Sequence, residues 1–273
     1  MRVVSLSDHP AAMLRDAQQR RVAAERGAGL AYQDVLAVHG ERVAQARAAR
    51  DQAWPQHRWG AWLRGAFAVR RLRRQAPPAP APASGPTDEE AKLAAGMEGE
   101  RLVETALGLV LDDEWALLRG YRNRGGEIDH LLIGPRGVFA IESKHRNATI
   151  DCDGDRWVAT KYDRYGNQVD DPAPMTDRRG RSPSEQVNEP ASILQDFLRR
   201  HGHPVTITRI VALTHPRARL ANCTGLTVHI TTSIREITDL LNSVPAALTP
   251  AQCADLEQLI TRDHHSRPRR RSP

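Results

Sequence analysis

The sequence predicts an α/β protein, with a mixed β-sheet flanked by helices and an N-terminal α-helical region before it. Residues 1–75 are rich in Ala, Arg, Gln, Leu and Glu, which favour helices. Between residues 89 and 262, short apolar β-prone runs alternate with helical segments, a pattern typical of an α/β fold. A Pro/Ala-rich segment at 76–88 separates the two parts and predicts an extended, semi-rigid linker.

Within the N-terminal region we expect helices at about 10–26 and 30–53, with a break at Gly27-Ala28-Gly29. This pattern suggests a helical hairpin or a short coiled-coil arm. The predicted domain order is a basic helical region (1–75), the linker (76–88), the α/β domain (89–262) and a basic disordered tail (263–273).

The elements expected in the α/β domain follow in chain order. A helix at about 89–110 has Thr87 and Asp88 as candidate caps. The polar segment 160–182 is long for an irregular loop, which is typical of a functional or mobile one. The remaining predictions are strands near 114–119, 127–133, 137–144, 155–159, 205–213 and 226–230, and helices near 184–201, 233–242 and 249–262.

The net charge of +6 is unevenly distributed. Residues 1–75 carry +8 and residues 262–273 carry +4, which leaves −6 for residues 76–261. Basic arms around an acidic core suggest that the arms contact a polyanion, although solvated helices would give the same count. In residues 54–74, Trp and Phe are interleaved with Arg, which suits an anionic membrane surface, a nucleic-acid backbone, a protein partner or internal packing.

Several classes of protein are not supported by the sequence. No apolar run is long enough to span a membrane, and the N-terminus lacks the features of a signal peptide. Cys152, Cys223 and Cys253 fit neither a disulfide framework nor a zinc site, so we expect reduced thiols and a cytoplasmic location.

A β-hairpin is predicted around the turn Gly134-Pro-Arg-Gly137, and paired residue numbers across it should add up to 271. This register places Asp129 opposite Glu142. Two facing carboxylates in an apolar hairpin repel each other and are costly to bury. A divalent cation between them would remove that cost, so the hairpin suggests metal-dependent chemistry.

Lys144 lies on the same side of its strand as Glu142, because strand side chains alternate. The chain has only three Lys beside 36 Arg. A lysine provides a compact point charge for one water molecule or one phosphate oxygen, which a guanidinium does poorly. A simple ion pair with Glu127, its partner in the predicted register, is the alternative role.

Four motifs in order resemble the nuclease-related domain (NERD) family of PD-(D/E)XK nucleases. They are GMEGE at 96–100, GEID at 126–129, GPRGVFAIESK at 134–144 and SPSEQ at 182–186. We expect Gly96 and Gly99 to let their helix approach the sheet closely. Pro190 departs from the aromatic residue that related nucleases often carry, and we expect it to kink its helix or delay the start of that helix.

The resemblance implies a restriction-endonuclease-like fold with a Mg²⁺ (or Mn²⁺) site. It implies that Asp129 and Glu142 bind the metal, that Glu100 helps to hold it, and that Lys144 orients or activates the attacking water. Gln186 would contact the metal site or the substrate phosphate.

The implied function is hydrolysis of phosphodiester bonds in nucleic acid, with DNA favoured over RNA, in DNA processing or defence. The alternative is a catalytically silent module that binds nucleic acid or protein and is docked by the Arg-rich N-terminal helices. The oligomeric state stays open.

Overall fold

A computed structural model describes residues 1–81, 85–163 and 165–265. The described residues divide into two compact units, one formed by Met1–Met13 with Lys92–Pro273 and the other by Leu14–Ala91. The elements in chain order are β1 (Arg2–Ser5), α1 (His9–Ala53), α2 (Trp59–Arg74), α3 (Asp88–Val110), β2 (Ala116–Asn123), β3 (Gly126–Gly134), β4 (Gly137–Lys144), β5 (Thr149–Asp153), β6 (Arg156–Thr160), β7 (Ala173–Pro174), α4 (Pro183–Arg200), β8 (Ile207–Leu213), β9 (Arg219–Thr224), β10 (His229–Thr231), α5 (Ile234–Ser243) and α6 (Pro250–His265).

The predicted break at Gly27 and Gly29 is wrong, because α1 continues through both residues to Ala53. Neither glycine has another atom near its missing Cβ, so both lie on open helix surface. A glycine costs about 1 kcal/mol in a helix but does not forbid helical backbone angles. The long flanking stretches of Ala, Arg, Gln and Glu offset that cost.

The chain reverses direction after α1, so α1 and α2 form a helical hairpin. A Cβ at Gly65 of α2 would lie 2.8 Å from the Cβ of Arg50. The rings of Trp54 and Trp62 are 5.5 Å apart, and Tyr32 donates a hydrogen bond to the carbonyl oxygen of Pro77. These contacts place the segment after α2 alongside the middle of α1.

The main sheet of the other unit has six strands in the order β1-β2-β3-β4-β8-β10. β2, β3 and β4 are antiparallel, whereas β1 is parallel to β2, and β8 is parallel to both β4 and β10. Apolar residues of α4 and α6 pack on one face, and residues of α3 and α5 pack on the other. The predicted fold class, a mixed sheet flanked by helices and preceded by N-terminal helices, is confirmed.

The predicted hairpin register is confirmed over five pairs, from Gly134–Gly137 to His130–Ile141. Both faces of the hairpin are covered, since Leu131 lies in the core under α4 and Leu132 in the core under α3. Strict alternation would place Ile128 on the side of Leu132, but it joins the α4 side instead.

A second sheet of four strands, in the order β7-β6-β5-β9, was largely missed by the sequence analysis. Of its strands only β6 was predicted. The residues of β9 are polar and mostly exposed, so they lack the alternation that marks a half-buried strand. β1 was also missed, because a four-residue edge strand depends on its partner β2 rather than on its own pattern.

Helices α3 and α6 lie at the two ends of the predicted α/β domain, residues 89–262. α3 begins at Asp88, and a capping box joins Thr87 and Glu90. α6 extends to His265, and the buried Asp263 accepts a hydrogen bond of 2.5 Å from the Tyr121 hydroxyl. Residues 82–84 of the predicted linker and 266–273 of the predicted tail lie outside the described residues. No helix in the described ranges combines the length and the apolar character that crossing a membrane requires.

We expect opposite effects from substituting the two glycines of α3. A Cβ at Gly99 would lie 2.9 Å from both His145 Cβ and Thr214 Oγ1, whereas a Cβ at Gly96 meets nothing within 4 Å. Gly99→Val should therefore lower the free energy of unfolding by about 1–3 kcal/mol through overpacking. Gly96→Ala should raise it by about 0.5–1 kcal/mol through helix propensity. Urea denaturation of both variants measures the difference, and equal effects would show that α3 does not depend on a close approach at Gly99.

Candidate functional site

Three carboxylates come together where β3 and β4 separate. Asp129 lies on β3, Glu142 on β4 and Glu100 on α3. The β3–β4 ladder ends at His130–Ile141, one step before Asp129 would pair with Glu142. There the Oδ2 atom of Asp129 accepts hydrogen bonds from the Ser143 amide (2.8 Å) and hydroxyl (3.0 Å). The Asp129 side chain thus replaces the backbone acceptor that would otherwise continue the β3–β4 ladder.

The neighbouring strand is also irregular at this point. The β2–β3 ladder lacks a Gly120–Asp129 pair, although the pairs on both sides of it are in register. Gly120 has a φ of +68°. A Cβ at Gly120 would lie 2.9 Å from the backbone oxygen of Ser7 and 3.3 Å from Glu127 Oε1. Glycine is therefore required here both by backbone conformation and by space.

Burial and mutual repulsion raise the pKa of two acids of the cluster, Glu142 and Glu100. The side chain of Glu142 is buried, and its pKa rises to about 7 because of desolvation first and the charge of Asp129 second, with Lys144 opposing the rise. The pKa of Glu100 rises to about 8, again through desolvation first and then through the charges of Asp129 and Glu127. The folded chain therefore carries more negative charge at this place than it can hold without cost.

Lys144 lies between the acidic cluster and α4. Its ammonium group forms an ion pair with Glu142 and donates a hydrogen bond of 2.9 Å to Gln186 Oε1. Burial acts to lower the pKa of Lys144, but the charges of Glu142 and Asp129 outweigh it and raise the pKa above its ordinary value. Lys144 is therefore a cation in this site. Glu127, its alternative partner in the sequence analysis, pairs with Arg122 instead.

Gln186 reaches the site because α4 begins at a well-defined position. Ser182 is the N-cap, and it forms a capping box with Glu185. The Gln186 side chain donates a hydrogen bond of 2.8 Å to the carbonyl oxygen of Arg181 and accepts one from Lys144. Both ends of the amide are used, so its orientation is fixed. α4 continues through Pro190 to Arg200, so the expectation of a delayed start is wrong.

Two groups that support α4 were missed by the sequence analysis. Arg181 binds Asp177 Oδ2, Glu189 Oε2 (2.9 Å) and the carbonyl oxygen of Gly125 (2.6 Å), which ties segment 160–182 to the β2–β3 turn. Asp155 accepts a hydrogen bond of 2.6 Å from the buried Ser184 hydroxyl. Such pairs are distant in sequence and follow no local motif.

The DCDGD segment at 151–155, which resembles a calcium loop only in part, forms the turn between β5 and β6, with Gly154 at a φ of +57°. Asp155 is bonded to Ser184 and Thr227 rather than turned toward the other acids of this segment. The segment is therefore a turn whose last acid, Asp155, contacts the start of α4.

Within residues 1–81, 85–163 and 165–265, no group of three or more His, Cys, Asp or Glu side chains is arranged to hold a metal ion. The Glu142 carboxylate is engaged by Lys144, and Asp129 is engaged by Ser143. The available donors are carboxylate oxygens, which are the ligands that Mg²⁺ prefers. The chemistry of the donors therefore suits a hard divalent cation.

An α/β core with an Asp on one strand of a hairpin and a Glu-x-Lys segment on the next defines a PD-(D/E)XK-like nuclease class. Residues 95–214 match the family model of the nuclease-related domain (NERD), and the predicted resemblance is confirmed over this part of the chain. Families of this class typically use divalent metals and act on nucleic acid. Searches of curated proteins and of solved structures found no match.

We expect Glu100→Gln to stabilise the metal-free protein at alkaline pH. The pKa of Glu100 rises from 4.5 to about 8 on folding, so the folded state favours the protonated acid. Stability contributed by this group is present below pH 4.5 and is lost as the pH rises through about 8. The neutral amide avoids that loss. Above that pH the free energy of unfolding of the variant should therefore exceed that of the wild-type protein by about 1–3 kcal/mol.

Urea denaturation in EDTA at about pH 5 and about pH 9 measures the change, which should be larger at the higher pH. Glu98→Gln is the control, because the pKa of Glu98 is lowered by its hydrogen bond to Arg101. A Glu100→Gln variant that gains nothing over the control at the higher pH would contradict the prediction.

Proposed function

We propose that the nuclease-related domain hydrolyses phosphodiester bonds of nucleic acid, with DNA as its substrate, in a reaction that depends on Mg²⁺ or Mn²⁺. The convergence of Glu100, Asp129 and Glu142 beside the partly buried Lys144 carries this proposal. Burial first, and the charge of Asp129 second, raise the pKa of Glu100 and of Glu142, so keeping these acids ionised costs stability. In a metal-dependent hydrolase such a cluster serves as the metal site, whereas a binding module has no need of it.

In this proposal the carboxylates of Asp129, Glu142 and Glu100 would hold the cation through their oxygen atoms. A bound divalent cation would neutralise their charge, lower the pKa of a coordinated water and offset negative charge on the scissile phosphate. Asp129 and Glu142 are fixed by their strands, and Glu100 is fixed by the close approach of α3 at Gly99.

Lys144 then orients the attacking water and stabilises charge that develops on the phosphate oxygens. Its raised pKa keeps it protonated, so it acts as a hydrogen-bond donor and point charge rather than as a base. Gln186 positions Lys144, because its Oε1 atom accepts from the ammonium group while its amide nitrogen is held by the Arg181 carbonyl.

We further propose that the substrate backbone runs over three arginines next to the site. β4 and β8 are parallel, and Lys144 is opposite Leu213. The segments that follow these two residues therefore leave the same edge of the sheet, and they carry Arg146, Arg217 and Arg219.

These arginines differ in their pairing from Arg119, Arg122 and Arg181 of the same unit, which form ion pairs with carboxylates. In the part of the chain that the structure describes, no ion pair involves the exposed Arg146, Arg217 or Arg219. A cavity of about 490 Å³ is lined by seven residues: Asn147, Ala148, Thr149, Tyr162, Asp163, Arg217 and Arg219. Guanidinium groups such as those of Arg217 and Arg219, which line a polar cavity and form no ion pair in the described residues, suit phosphate groups.

We expect Asp129→Asn and Lys144→Met each to lower DNA cleavage by at least about 100-fold, because each removes charge required at the reacting phosphate. Cleavage of supercoiled plasmid and single-stranded DNA with Mg²⁺ or Mn²⁺ measures the effect. Lys161→Met and Asp151→Asn are the controls, since Lys161 pairs with the exposed Asp170 and Asp151 lies on the second sheet. Both controls should cut like the wild-type protein.

Two outcomes would contradict the nuclease assignment. Wild-type protein that binds DNA but cuts none with either ion would establish the silent-module alternative. Cleavage that survives Asp129→Asn and Lys144→Met would place the activity elsewhere in the protein or in a contaminant.

We expect Arg146→Gln and Arg217→Gln to weaken DNA binding about 3- to 10-fold each without a metal present. Each should also lower the slope of log Kd against log salt by about one, the value for one lost phosphate contact. Fluorescence anisotropy with labelled DNA in EDTA measures both. Arg199→Gln, whose arginine pairs with Asp196 on α4, is the control. An unchanged salt slope in the two site variants would exclude phosphate contacts there.

A further inference from the structure

A stripe of large apolar side chains lies exposed along α2. Trp59, Leu63 and Phe67 follow one another at intervals of four residues and are 55%, 51% and 69% exposed. Residues at this spacing lie on one side of a helix. Trp54, just before the helix, is 52% exposed, and its ring is 4.7 Å from that of Trp59.

The opposite side of α2 is already packed. Val69 is 5% exposed, and a Cβ at Gly65 would contact Arg50 of α1. Trp62 is only partly exposed and contacts the Trp54 ring. The hairpin therefore fixes which side of α2 faces α1, and the stripe is the side left over. Internal packing, one of the alternatives for residues 54–74, accounts for Trp62 and Val69 but not for the stripe.

Positive charge surrounds the stripe. Residues 54–74 contain six Arg and no Asp or Glu. By the helical spacing, Arg70 and Arg74 continue the stripe, and Arg64 and Arg71 border it. In the described residues of Leu14–Ala91, ion pairs involve Arg20, Arg21 and Arg50 of α1 but no arginine of α2.

We propose that α2 binds the surface of an anionic lipid bilayer. Trp59, Leu63 and Phe67 enter the boundary between headgroups and acyl chains, while the flanking arginines contact lipid phosphates. A helix with large apolar residues on one side and arginines beside them is suited to lie in the plane of such an interface. Each basic residue near an anionic surface adds to the attraction.

The observations favour lipid over two other occupants. A nucleic-acid backbone would satisfy the arginines but would leave three large apolar side chains in water. A second copy of α2 would cover the apolar stripe but would bring two sets of arginines together, which repel each other. A bilayer with acidic lipids satisfies both the apolar and the charged groups.

Co-sedimentation of the full chain with vesicles tests this inference. We expect binding to vesicles of equal parts phosphatidylcholine and phosphatidylglycerol, and little binding to phosphatidylcholine alone. Leu63→Ser with Phe67→Ser should lower the partition constant about 10- to 100-fold. Arg70→Gln with Arg71→Gln should lower it as well and should reduce its dependence on salt.

Leu109→Ser is the matched control, because Leu109 is 83% exposed but lies on α3 outside the stripe. Circular dichroism shows whether each variant keeps its helices. Asp129→Asn should bind vesicles like the wild-type protein, because the inference does not depend on nuclease activity.

Three results would overturn the inference. One is no binding of the folded wild-type chain to anionic vesicles. A second is vesicle binding that Leu63→Ser with Phe67→Ser leaves unchanged while the arginine variant loses DNA binding, which would indicate a nucleic-acid surface. A third is a wild-type dimer that the same apolar substitutions convert to a monomer, which would indicate that a second copy covers the stripe.

Discussion

The carboxylates of Glu100, Asp129 and Glu142 repel one another, and the contacts around them are arranged so that the folded chain tolerates the repulsion. Ser143 binds Asp129 through both its amide and its hydroxyl. Lys144 neutralises part of the charge of Glu142. The pKa of Glu100 and that of Glu142 still rise to about 8 and about 7, so these partners relieve the cluster only in part. The remaining cost is what a bound cation would remove.

The position of Lys144 depends in turn on the start of α4. Gln186 holds Lys144, and the capping box at Ser182 and Glu185 fixes the turn that carries Gln186. The second sheet supports the same turn, because Ser184 accepts a hydrogen bond from the Trp157 indole and donates one to Asp155. A sheet that contributes none of the proposed catalytic groups thus helps to hold one of them in place.

The parts of the fold that depend on local pattern could be predicted from the sequence. A turn of known length fixes a hairpin register, so the pairs from Gly134–Gly137 to His130–Ile141 followed from the residue numbers alone. The end of that ladder at Asp129 could not be predicted, since it depends on a side chain competing for the Ser143 amide. Likewise the GMEGE motif suggested close packing at two glycines, but only Gly99 has neighbours.

Errors arose where an energetic tendency was taken as a rule, or where structure depends on a distant partner. Gly27 and Gly29 weaken a helix without forbidding it, and α1 runs through both. β1 and β9 are short edge strands whose partners, β2 and β5, lie far away in sequence. The supports provided by Arg181 and Asp155 are of the same kind, because each joins residues from separate elements.

The distribution of charge shows why composition alone locates binding surfaces poorly. Residues 76–261 are net acidic, yet among the described residues no ion pair involves the exposed Arg146, Arg217 or Arg219. Conversely, residues 1–75 are strongly basic, but part of the charge on α1 is taken up by ion pairs such as Arg21 with Glu90. The arginines of α2 have no acidic residue in their own segment. The availability of a charge is decided by its neighbours, so a binding surface has to be located from the contacts of each arginine and not from composition.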